Sequence, residues 1–223
     1  MRASRLVPSV AVLSTAALVG LLVAGCSSSP SAAAQSAGTS PAATGTAAGT
    51  ATVSPLAAKL LTAGDLPAGW SVEVGATNPS MATSCPLLNT GAWNGSLPQR
   101  AEADLSVGMT GPFLVEQLAI GSAAQVDKAW QIFVAAIPKC TTFTHAGSSG
   151  ASTYTVTRAD FPSYGDESYG FGLDIKITNG VDASGNVVVA RTGTAVVLVY
   201  LMGVPNVQQS LMEQIVAKAV AKA

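Results

Sequence analysis

Residues 195–201 read Ala-Val-Val-Leu-Val-Tyr-Leu, a run that is apolar on both faces when read with a period of two. It predicts a strand at the centre of a sheet that is covered on both sides. Around it the chain alternates. In 168–178, Tyr169, Phe171, Leu173, Ile175 and Ile177 point one way, and Ser168, Gly170, Gly172, Asp174 and Lys176 the other. In 101–107, Ala101, Ala103, Leu105 and Val107 oppose Glu102, Asp104 and Ser106, and in 153–157 three threonines oppose Tyr154 and Val156. Residues 108–112 read as a turn after which 113–120 pairs back. Residues 186–191 and 194–202 flank Thr192-Gly193, which reads as a hairpin turn. Sheets with one wet face are usually antiparallel.

Helices punctuate these strands. Ser54-Pro55 resembles an N-cap followed by Pro at the first helical position, so a helix is expected over 56–63, stopping at Gly64. Residues 65–70 then form a turn delivering Trp70 to the core, 71–75 a short strand, and 76–99 an irregular stretch. Ser122-Ala123-Ala124-Gln125 is a capping box. It opens a helix to about Ile137, with Val126, Trp130, Phe133 and Ile137 on one face. A last helix is expected from near Pro205, with Val207, Leu211, Ile215 and Ala219 on one face. Together these elements predict a single α+β domain over 55–223, an antiparallel sheet with helices packed against it.

The preceding residues carry an address. Arg2 and Arg5 precede an uncharged, Leu/Val/Ala-rich stretch over 6–25, which ends in Val23-Ala24-Gly25-Cys26. This order resembles a bacterial lipobox. The resemblance implies a lipoprotein signal peptide over 1–25, cleavage before Cys26, and a diacylglycerol thioether on its sulfur. The product would be a palmitate-bearing lipoprotein in the cell membrane, facing outside the cytoplasm. Two acyl chains reach the threshold for stable anchoring. The competing reading is an uncleaved membrane-spanning anchor, which Pro8, Ser9, Ser14 and Thr15 weaken. Residues 27–54 contain only Ser, Ala, Thr, Gly and Pro apart from Gln35 and Val53. That composition cannot bury enough apolar surface to offset its ordering entropy. Residues 26–54 therefore read as a lipidated cysteine and a flexible tether spanning roughly 30 Å, either a plain spacer or a site of O-glycosylation.

With Cys26 assigned to lipid, the three cysteines leave Cys85 and Cys140, and an oxidising compartment favours a disulfide over two free thiols. The formal charge of −1 and a charged fraction of 10% exclude a basic nucleic-acid-binding surface and a charge-driven disordered chain. One His and three Cys argue against a zinc site, and no phosphate-binding loop is present. No cofactor or metal is expected.

Few residues offer chemistry. His145 lies in Thr144-His145-Ala146-Gly147-Ser148-Ser149-Gly150, which reads as an exposed loop and not as part of a catalytic triad. Asp166-Glu167 is the only adjacent carboxylate pair. Neighbours entering a strand point to opposite faces, and Asp166 after Gly165 suits a turn. Residues 182–186 resemble a fragment of a calcium loop but lack its later acidic ligand, so they read as a polar hairpin end. Trp70 and Trp130 are expected in the core, whereas the loop setting of Trp93 leaves an exposed contact open. No catalytic residue is expected, and ligand-binding residues cannot be named.

One wider resemblance rests on the segment Leu60-Leu61-Thr62-Ala63-Gly64-Asp65-Leu66-Pro67, Trp70, the Cys85/Cys140 pair and the helix carrying Trp130 and Phe133. To these add Gly165-Asp166-Glu167-Ser168 before a strand, and the valine hairpin over 187–199. In this order they resemble actinobacterial exported lipoproteins. These are similar in turn to the extracellular sensor domain of membrane-anchored Ser/Thr protein kinases. The chain departs from those sensor domains in having cysteines for one disulfide where they carry two. The resemblance implies an antiparallel sheet with helices against it and a ligand-holding cleft. The function expected is a non-enzymatic ligand-binding or sensor-like domain. Its partners would be the membrane, through the diacylglycerol anchor, and an unidentified envelope ligand or partner protein, with no nucleic acid. The alternative is a structural or protein-interaction component of the envelope without a small-molecule pocket.

Overall fold

The computed structural model describes residues 55–72, 84–147, 150–178 and 180–223, all within one compact unit. Residues 1–54, where the signal peptide, the lipidated Cys26 and the tether are expected, lie outside the described residues. Eight strands form one sheet: β1 (Ser71–Val72), β2 (Gln99–Ser106), β3 (Phe113–Ile120), β4 (Thr142–Gly147), β5 (Gly150–Arg158), β6 (Glu167–Ile177), β7 (Ala183–Thr192) and β8 (Ala195–Gly203). Their order is β1-β2-β3-β8-β7-β6-β5-β4, every pair antiparallel. The helices are α1 (Thr90–Trp93), α2 (Ala123–Ala136) and α3 (Gln209–Lys222).

The doubly apolar run becomes β8, between β3 and β7 near the middle of the sheet. Its odd and even positions serve two different cores. On one face Val196 and Leu198, with Val187 and Val189 of β7, pack under Val126, Trp130 and Phe133 of α2. On the other, Val197, Val199 and Leu201, with Val188 and Ala190, pack under Met212, Ile215 and Val216 of α3. At fully buried positions each such side chain contributes about 1.5–3 kcal/mol. Away from this centre the α3 side of the sheet turns wet. Thr153, Thr155 and Thr157 of β5 are exposed there, while Tyr154 and Val156 point into the α2-side core.

Local signals explain the element ends. Ser122 Oγ accepts from the Gln125 N–H and Gln125 Oε1 accepts from the Ser122 N–H, so the expected capping box starts α2. Cys85 and Cys140 form a disulfide with Cα atoms 4.9 Å apart, tying the segment before α1 to the entrance of β4. The β7–β8 hairpin turns through Gly193-Thr194, one residue later than expected, because Thr192 still pairs with Ala195. Gly193 takes φ 55°, the left-handed region such turns use.

Several expectations are corrected. Residues 56–63 do not form one helix. They make the 3-10 turns Ala57–Lys59 and, further on, Ala63–Asp65. Leu56, Leu60 and Leu61 are all buried, and Leu60 has extended backbone, so the chain leaves the helical path to bury consecutive leucines. Gly64 lies inside the second turn instead of ending the first. Of the expected strand 71–75, residues 71–72 are observed and the rest lie outside the described residues. The stretch 76–99 is not wholly irregular, since α1 forms within it. The last helix begins at Gln209, not near Pro205. Residues 206–207 instead fold back over Gly203, where a Cβ would meet Val207 Cγ1 at 2.7 Å.

Candidate functional site

The residues singled out from sequence are held apart by the fold. Asp166 Oδ2 accepts from the Gly193 N–H at 2.7 Å, while its own N–H donates to the Arg191 carbonyl at 2.8 Å. It therefore stitches the entrance of β6 to the β7–β8 turn. The preceding Gly165 has φ 61°, and a Cβ there would lie 2.3 Å from the Arg191 carbonyl oxygen. Glu167 serves another partner. Its Oε2 accepts from Trp130 Nε1 at 2.7 Å and its Oε1 from the Tyr169 hydroxyl at 3.2 Å. Both carboxylates thus act in turn and core fastening. Asp166→Ala is expected to lower stability by about 1 kcal/mol, the value of a turn hydrogen bond. Urea unfolding measures this, and a loss under 0.3 kcal/mol would remove the stitching role.

His145 is not in a loop. It lies on β4 opposite Ser152 and is half-buried, because the sequence that read as loop continues the edge of the sheet. Ser148 and Ser149 lie outside the described residues. Asp182 pairs with Lys176 at the end of the β6–β7 hairpin, both side chains exposed, and Ala183 already belongs to β7. Among the described residues no group of three or more His, Cys, Asp and Glu is placed to hold a metal ion. Trp93 is not an exposed contact. It is 1% exposed, donates from Nε1 to the Leu87 carbonyl at 3.1 Å, and meets Phe133 with ring centroids 5.3 Å apart.

The polar concavity lies elsewhere, over β2 and β3. Arg100 and Glu102 are two apart on β2 and share a face, and Gln117 of β3 stands directly opposite Glu102. This face is continuous with the α2-side core, which reaches it through Ala119. The short α1 leaves a cleft of about 600 Å³ between its own Thr90, Gly91 and Asn94 and the strand residues Arg100, Glu102 and Gln117. The tight end of α1 depends on Gly95, where a Cβ would come 2.3 Å from the Gly91 carbonyl oxygen.

The cleft floor is ordered by its own hydrogen bonds. Asn94, only 5% exposed, donates from Nδ2 to Gln117 Oε1 at 3.5 Å, and Gln117 Nε2 donates to Glu102 Oε2 at 2.5 Å. Burial raises the Glu102 carboxyl above its ordinary value, against the Gln117 hydrogen bond, which lowers it; the nearby Asp104 adds to the rise. The Asn94–Gln117–Glu102 relay fixes the Gln117 amide orientation. Arg100 adds a cationic fork to the same wall. Such a set can bind a ligand carrying both donors and acceptors. A second cavity of about 290 Å³, between Pro112 and Val207, has no charged side chain in its lining.

Two features escaped the sequence reading. The cleft residues Arg100, Glu102 and Gln117 sat in strands without a motif. Glu116 likewise sits in a strand without a motif. It is 1% exposed on the α3 side of β3, and its Oε2 accepts from the Leu61 N–H at 2.5 Å. Burial pushes its carboxyl up to about 7. The available signal was the register of 113–120, which places Glu116 in the row of Leu114, Leu118 and Ile120.

Among the described residues no helix is long and apolar enough to cross a membrane. The chain matches no family model and no curated protein. Among solved structures it is similar to the extracellular domain of PknH from Mycobacterium tuberculosis. The identity is 15%, with 73% of this chain and 79% of that chain covered and a TM-score of 0.49.

Proposed function

We propose that this chain is a membrane-anchored lipoprotein whose extracytoplasmic domain binds a ligand without transforming it, and that the β2–β3 cleft is the binding site. The observation that carries this reading is the pre-ordered Asn94–Gln117–Glu102 relay beside Arg100 in a cleft of about 600 Å³. Hydrogen-bonding side chains of both charges favour a polar envelope fragment, such as a sugar or short peptide, over an acyl chain. The lipobox at Cys26 and the tether supply the location. Asp166 and Glu167, the adjacent carboxylate pair, are engaged in fastening the fold.

Native mass spectrometry of the full chain purified from its own membranes tests the reading. A bound small molecule is expected with the wild type and lost with Glu102→Ala and Gln117→Ala, which should fold normally because both sites are solvent-accessible. Retention of the same adduct by both variants, or no adduct in any sample, would defeat the cleft assignment. Cys26→Ala should abolish lipidation and membrane retention. An unchanged mature mass and unchanged retention would remove the anchor.

A further inference from the structure

The two margins of the sheet are built differently. The β2 side carries Arg100, Glu102 and Asp104, the kind of charge that discourages strand addition. At the other margin β4 is six residues long, Thr-Phe-Thr-His-Ala-Gly, with no proline and no Lys, Arg, Asp or Glu. Among the described residues, neither a charge nor a proline on this strand guards the edge.

The hydrogen-bond parity of β4 is fixed by its neighbour. The Val156 N–H donates to the Thr141 carbonyl at 2.8 Å, and the ladder continues with Thr142 opposite Thr155. In an antiparallel ladder hydrogen-bonded pairs alternate. Phe143 and His145 therefore direct their backbone groups to β5, and Thr142, Thr144 and Ala146 direct theirs outward. These three form a set that is complementary to itself about Thr144.

We infer that β4 pairs antiparallel with β4 of a second copy of this chain, with the two-fold axis at Thr144. In that register Thr144 faces Thr144 of the other copy and Thr142 faces Ala146, each exchanging both backbone bonds. On the α2 side Phe143, already stacked on Tyr154 at 4.7 Å, lies opposite the half-buried His145 of the other copy. Aromatic pairs and threonine pairs are both favourable across strands. A two-fold at Thr142 or Ala146 would shorten the overlap and lose the Phe143–His145 match. The cleft on β2 lies at the opposite margin, so pairing leaves it open.

Cysteine scanning of the full chain in its own membranes tests this. Directly opposed residues of a hydrogen-bonded pair have Cα atoms about 5.5 Å apart, inside the disulfide range. Thr144→Cys should therefore run at twice the monomer mass on a non-reducing gel and return to monomer with reductant. Thr142→Cys alone should stay monomeric, because its two copies would be about 13 Å apart along the strands. Thr142→Cys with Ala146→Cys should restore the dimer. The inference is overturned if Thr144→Cys stays monomeric, or if Thr142→Cys alone cross-links as readily. A photo-cross-linking residue at position 144 should give the same dimer. An adduct with a different protein, or one of monomer mass with the chain's own tether, would assign the edge to another strand.

Discussion

Phe133→Ala is expected to destabilise the domain by about 3–5 kcal/mol, the range for losing a buried aromatic ring. The side chain is 0% exposed. Its ring meets Trp130 at 5.1 Å, Trp93 at 5.3 Å, Tyr169 at 5.9 Å and Phe171 at 6.5 Å. The cost of a large-to-small change depends on how far the neighbours can collapse into the space. Here they are pinned. Trp93 is held by the Leu87 carbonyl, while Trp130 and Tyr169 are both held by Glu167. Arg158 lies over the outer face of Tyr169, 4.3 Å from the ring centroid. The cavity should therefore persist. Urea unfolding should show a lower midpoint with an unchanged slope. Phe133→Leu should recover a large part of the loss. A cost below 1 kcal/mol for the alanine variant would mean that this cluster is not the packing centre of the α2 face.

This cluster also shows where the sequence was readable. Trp130 and Phe133 follow from helical spacing behind the Ser122 capping box, and Tyr169 and Phe171 from the alternation of β6. Both patterns are local, and tertiary packing only had to accept them. The run at 195–201 was readable for the same reason, since only a strand covered on both sides can use it. Trp93 was not placed, because its burial depends on the Cys85–Cys140 bridge and α1 closing over Phe133. The polar cleft was invisible for a related reason. Glu102 and Gln117 look like the wet face of an ordinary hairpin, and only the limited reach of α1 turns that face into a concavity. His145 was misplaced because Thr-His-Ala-Gly has turn-like composition, yet the chain uses it to extend the sheet by one strand. The helix expected over 56–63 rested on the Ser54-Pro55 cap and the Gly64 stop, and such local signals do not reveal that Leu60 and Leu61 are buried as consecutive residues beside Glu116.

That last contact carries the largest expected pH effect. Glu116 is buried under the segment that includes Leu61, opposite Ala103 and Val199 in the sheet. Burial is the main cause that lifts its carboxyl from the ordinary 4.5 to about 7, against the Leu61 N–H and Lys222, which favour the charged form; Asp65 adds to the rise. Lys222 gives only partial relief because it already pairs with Asp65 at 2.6 Å. Between about pH 4.5 and 7 the folded chain keeps a proton that the unfolded chain has lost. Stability should therefore be highest below pH 4.5 as far as this group is concerned, fall as the pH rises to about 7, and level off above it. The shift corresponds to a loss of about 3 kcal/mol across that window. Asp65 acts in the opposite sense and in a lower window. Its hydrogen bond from Lys222, followed by those from Thr62, lowers it from 3.8 to about 2, so its contribution disappears only as the pH falls through that range. Glu116→Gln keeps an acceptor for the Leu61 N–H and removes the titration. The variant should match the wild type near pH 4.5, exceed it by up to about 3 kcal/mol at pH 8, and lose the slope between. Urea unfolding of both proteins from pH 4.5 to 8 measures the difference. A wild-type stability that stays flat over this window relative to the glutamine variant would show Glu116 to be charged in the fold, with the Leu61 N–H and Lys222 outweighing its burial.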